Sequence, residues 1–152
     1  MPDLLAGSTV TGLDTPQTQY DDDQTDVAVA GTAFVTGSPA VGVVFTAPTT
    51  GRVRVDWHSR FQPSSANHLQ VGFALRTGSV LGSGTLLQDG LNETCLEAPP
   101  VSGPSGRVQG GMFMILSGLV PGDTYNAVTC HRMVVGGTGT VFARSIGVSP
   151  CT

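Results

Sequence analysis

The stretch from Arg52 to Phe61 constrains the fold most. Val53, Val55, Trp57, Ser59 and Phe61 alternate with Arg52, Arg54, Asp56, His58 and Arg60. A period of two puts one set on a buried face and the other on a wet face, as in an antiparallel strand. Leu69, Val71, Phe73 and Leu75 repeat the alternation, with His68, Gln70 and Arg76 on the opposite, polar phase. Val27, Val29 and Phe34 open this period-two region, and a short apolar run follows at 40–46. Thr-Ala-Pro-Thr-Thr-Gly-Arg at 46–52 reads as a turn, because Pro cannot donate to a ladder and Gly permits positive φ.

Residues 77–110 are rich in turns, with a short strand near 85–87. An apolar strand follows at 111–116, and Val-Pro-Gly-Asp at 120–123 turns the chain into a strand at 125–135. Gly-Gly-Thr-Gly-Thr at 136–140 reads as a hairpin loop that returns residues 141–148 beside the preceding strand. About eight strands at this spacing predict an all-β fold, an antiparallel β-sandwich of jelly-roll type. The 21 Gly and 10 Pro agree, since both break helices. A chain of 152 residues is enough for one such domain without metal or disulfides.

Residues 1–26 differ from the rest. Their apolar residues are scattered, with no strict alternation, and they end in the acidic run Asp21, Asp22, Asp23 and Asp26. A segment with so little to bury is expected to be extended and to order along a partner. We therefore expect an N-terminal arm at 1–26, anchoring the chain to a particle, and a β-sandwich at 27–152. The acidic run lacks the Gly and terminal Glu of an EF-hand loop, so a solvated turn is expected rather than a calcium site.

Charge and motifs narrow the function. Only 12% of residues are charged and the net charge is −4, which gives nucleic acid no basic patch to bind. All seven basic residues are Arg, as a GC-rich coding genome would produce. Such a lightly charged surface suits a protein covered in an assembly. No apolar run approaches a membrane helix. The start, Met-Pro-Asp-Leu-Leu-Ala-Gly, has neither a basic nor an apolar signal region, so synthesis in a cytosol is expected. Cys95, Cys130 and Cys151 are odd in number; idle thiols are the plain reading, and a late disulfide is the alternative.

His58, His68 and His131 match no zinc spacing, and His58 and His68 fall on polar strand phases. Cys130 and His131 are adjacent and so point to opposite faces of a strand, which rules out a nucleophile–base pair. Glu93 and Glu97 lie in a Gly- and Pro-rich stretch without the aromatic cluster of a glycosidase. Asn92-Glu-Thr94 matches a glycosylation acceptor and reads as a surface loop. No catalytic, cofactor or metal site is expected, and the chain is not expected to be an enzyme. Trp57, in phase with Val55 and Phe61, is expected in the core, with a sugar-stacking platform as the alternative.

Several of these segments together carry a resemblance. They are Gly-x-x-Phe-Thr-Ala-Pro-Thr-Thr-Gly-Arg-Val-Arg-Val at 42–55, Leu-Val-Pro-Gly-Asp-Thr-Tyr at 119–125, and the strand closing at 137–150. With the opening at 4–14, they resemble virion structural proteins of actinobacterial tailed phages and, more distantly, C1q/TNF-like trimeric jelly rolls. The resemblance implies a homotrimeric head and an arm bound to major capsid or tail proteins of a virion, made in a bacterial host cytoplasm. The single head, without heptads or shaft repeats, favours a capsid decoration protein over a minor tail or fibre protein. A carbohydrate-binding module recognising host-surface glycans is the rival expectation.

Overall fold

The computed structural model describes residues 17–63, 67–90, 94–100 and 106–151. Eleven strands form among these residues, without an α-helix. The first four are short: β1 (Gln19–Asp23), β2 (Val27–Val29), β3 (Val35–Thr36) and β4 (Gly42–Thr46). The long β5 (Val53–Pro63) and β6 (Leu69–Thr77) precede the short β7 (Leu86–Gln88) and β8 (Leu96–Ala98). Three long strands complete the chain: β9 (Val108–Leu116), β10 (Thr124–Met133) and β11 (Gly139–Pro150).

Sheet I runs β1–β11–β5–β9, and β2 also pairs with β11. Sheet II runs β3–β10–β6–β7, with β4 also on β10 and β8 also on β6. A strand has two edges, so β1 and β2 share one edge of β11, as β3 and β4 share β10, and β7 and β8 share β6. The eleven segments therefore fill four positions in each sheet, the eight-position layout of a jelly-roll sandwich.

The alternation at 52–61 is realised. Val53, Val55, Trp57 and Phe61 are buried between the sheets, while Arg54 and Arg60 are exposed. Trp57 packs on Phe73 of the facing sheet, with ring centroids 4.8 Å apart. At the 46–52 turn the Gly51 amide donates to the Pro48 carbonyl. Gly51 sits at φ 61°, and a Cβ there would lie 2.5 Å from the Leu119 carbonyl oxygen, so only glycine fits.

Three expectations need correction. The loop at 136–140 does not fold β11 back beside β10; it carries the chain from sheet II across to sheet I, and β11 pairs with β5 instead. Positive φ at Gly136 and Gly137 permits this crossing, and Asn67 donates to the Gly136 carbonyl. The polar phase of β6 is not wet either. Gln70 is buried, because Glu97 on β8 and Arg132 on β10 close over it with hydrogen bonds. Finally, part of the segment expected as an arm is a strand: β1 pairs with β11 from Gln19 opposite Val148 to Asp23 opposite Arg144. Residues 1–16 lie outside the described residues.

The core has two apolar clusters. One holds Val55, Trp57, Phe73 and Ile146; the other holds Phe61, Leu69, Met133 and Val141. Between them lie buried polar residues: Ser59, Thr129, His131 and Arg144.

Candidate functional site

Two polar arrangements stand out, one inside the sandwich and one on its surface. The interior one is built around Arg144. Its side chain is fully buried, donating to Asp23 Oδ1 on β1 at 2.9 Å and to the Pro39 carbonyl at 2.8 Å. Asp23 also accepts from the backbone N–H of Thr25; that bond, with Arg144, holds its carboxyl below the usual range. Asp21 accepts from the Gly42 amide at 2.9 Å. Asp21 and Asp23 of the acidic run thus tie β1 to the head, and among the described residues no three His, Cys, Asp or Glu side chains gather as a metal site.

His131 lies beside this pair. Burial, reinforced by the nearby Arg144 cation, pushes its imidazole down to about 4. Cys130 points to the opposite face of β10, under Gly90, and burial pushes its thiol up to about 12. All three cysteines are thiols. His68 pairs with Glu97 at 2.5 Å on the surface, and Gln70 and His68 together lower the Glu97 carboxyl. Glu93 and Asn92 lie outside the described residues.

Trp57 is 2% exposed and cannot serve as a sugar platform. The exposed aromatics are elsewhere, on the outer face of sheet I. There, strand register aligns Tyr20, Gly147, Asp56 and Phe113 in one row across β1, β11, β5 and β9. At the usual spacing between strands, Tyr20 and Phe113 stand about 14 Å apart. Both are well exposed, at 66% and 56%. The next row places Ser145, His58 and Gly111 side by side; the row on the other flank places Ser149 beside Arg54.

The result is a cleft of about 490 Å³ with aromatic walls and a floor of glycines, serines and polar side chains. Arg54 grips Asp56 through two nitrogens, at 2.6 and 2.9 Å, and lays its guanidinium 4.2 Å from the Phe113 ring centre. That hydrogen bonding raises the Arg54 pKa. Sequence periodicity named Arg54, Asp56 and His58 as a wet face but missed both walls. Tyr20 fell in the presumed arm, and Phe113 in a run where both strand faces are apolar.

No protein-family model matches the chain, and no curated protein matches it in sequence. Solved structures do match in fold. An Eiger TNF from S. frugiperda is 11% identical with a TM-score of 0.50, covering 91% of this chain and 94% of that one. A structure of infectious bursal disease virus, Gt strain, is 10% identical with the same TM-score, covering 96% of this chain. This chain spans 36% of that viral one. At such identities the likeness is one of fold alone, and it agrees with the jelly-roll sandwich seen in this chain.

Proposed function

We propose that the chain is a virion structural protein: a capsid decoration protein of a tailed phage, with a homotrimeric jelly-roll head held to the particle by its N-terminal arm. The observation that carries this reading is the locking of β1. Asp23 on Arg144 and Asp21 on the Gly42 amide fix residues 19–23 to the head, so the residues before them leave from a rigid point. An arm leaving a rigid head suits attachment to major capsid protein, while the head stays displayed. Subunit contact is assigned to the edge of sheet II at β7, where Leu86 and Leu87 are exposed side by side in sequence. Contiguous exposed apolar side chains of this kind favour association. The fold it shares with a viral chain is consistent with the role.

The test is removal of residues 1–16 only, which leaves β1 and its ion pair in place. The shortened protein should remain a trimer by native mass spectrometry and lose binding to particles of its own virus stripped of the protein. Undiminished binding would overturn arm attachment; a monomeric full-length chain would overturn the trimer.

A further inference from the structure

We infer that the cleft on the outer face of sheet I binds a neutral saccharide, with Tyr20 and Phe113 as the apolar walls and the polar floor as the hydroxyl partners. A sugar ring has one apolar face of C–H groups and a rim of hydroxyls that both donate and accept. The cleft offers both complements. Tyr20 on β1 and Phe113 on β9 present exposed ring surface from opposite sides. Between them, Asp56 accepts and Arg54 donates. Among the described residues, the side chains of His58, Ser145 and Ser149 make no hydrogen bond, which leaves them for a ligand.

The charges decide the ligand's class. Arg54 and Asp56 neutralise each other at 2.6 Å, so the residues lining the floor carry no net charge to select an anion or a cation; Asp22, opposite Ser145 on β1, lies outside that lining. The same pair argues against a dry protein interface here. Sealing an ion pair away from water costs more than its attraction returns unless it is fully satisfied, and interface cores are depleted of charge. A small hydroxylated ligand leaves such a pair partly wet. The cleft's volume of about 490 Å³ lies within the usual range for small-ligand sites.

Depth comes from Gly147. It sits in the same row as both aromatic walls, and its missing side chain is the space between Tyr20 and Asp56. A Cβ there would meet only the Gln19 carbonyl oxygen at 3.6 Å and a Tyr20 ring carbon at 3.7 Å, both ordinary contacts. Gly147→Val should therefore fold while filling the floor. Tyr20→Ala removes an exposed wall and provides a second variant that does not burden the core.

The full-length protein should be titrated by NMR with neutral di- and trisaccharides of glucose, galactose, mannose and N-acetylglucosamine. At least one is expected to give saturable shifts at Gly111, Ser145, Gly147 and Ser149. Both variants should weaken that binding by about tenfold or more while melting at the wild-type temperature. Three results overturn the inference: no saturable binding across the panel, binding that both variants leave intact, or a wild-type oligomer that Phe113→Asp dissociates. The last would assign this face to a second copy of the chain. None of these outcomes bears on arm attachment, which is read from particle binding.

Discussion

Acidification from pH 7 to pH 5 should destabilise the head through His131. The imidazole is 1% exposed and lies next to the buried Arg144, so the folded protein holds it neutral with a pKa of about 4. In the unfolded chain it titrates near its ordinary 6.5. A folded pKa below the unfolded one means that the unfolded state takes up protons first. The stability it contributes is complete above pH 6.5, declines as pH falls, and is gone below about pH 4. At 1.36 kcal/mol per pKa unit, the loss is about 2 kcal/mol by pH 5 and about 3 kcal/mol at pH 4. Asp23 and Glu97 have folded pKa values depressed from ordinary values of 3.8 and 4.5, so their contributions are lost mainly below about pH 5 and do not confuse the window from pH 7 to pH 5. Urea unfolding followed by fluorescence of Trp57, the one tryptophan, reads the effect directly. The control is His131→Gln, whose stability should fall by less than half as much between pH 7 and pH 5, whatever its absolute value. Parallel profiles for the two proteins would refute the reasoning.

Asp23→Asn should lower the melting temperature, because it strips the buried Arg144 of its counter-ion. Adding Arg144→Met should recover much of that loss, since an apolar replacement of similar length removes the stranded charge; differential scanning calorimetry of the three proteins checks the order. Gly51→Ala should cost about 2 kcal/mol in urea unfolding, from left-handed strain and the clash with the Leu119 carbonyl. Cys130 should resist iodoacetamide at pH 8 in the folded protein and react only in urea, read by peptide mass spectrometry, because burial holds it as the thiol.

The sandwich was legible where one strand face is apolar and the other charged. From Val53 to Phe61 the sequence states the burial pattern outright, and the structure reproduces it residue by residue. Legibility fails where the outer face of a strand is covered by other parts of the chain. On β6, Gln70 reads as wet in one dimension, yet Glu97 and Arg132, distant in sequence, close over it. The connection at 136–140 was misread for a related reason. Glycines at 136 and 137 fit a tight hairpin and a crossing between sheets equally well, and only the pairing of β11 with β5 selects the crossing.

The cleft shows the same limit at a functional position. Its floor residues Arg54, Asp56 and His58 sit on a strand whose polar phase is plain. Its walls come from Tyr20, in a segment that looked too poor in apolar residues to join a sheet, and from Phe113, in a run apolar on both phases. What recruits Tyr20 is not apolar burial but charge. Arg144 is buried on β11 and needs an acid, and Asp23 supplies it from three residues past Tyr20 on the same strand. Docking that acid sets the register of β1 and so places the tyrosine ring opposite Gly147. A single part-buried ion pair thus links the buried Arg144 to the shape of the surface cleft. Asp23→Asn should therefore loosen Tyr20 and weaken any ligand held there, even though Asp23 itself faces the interior.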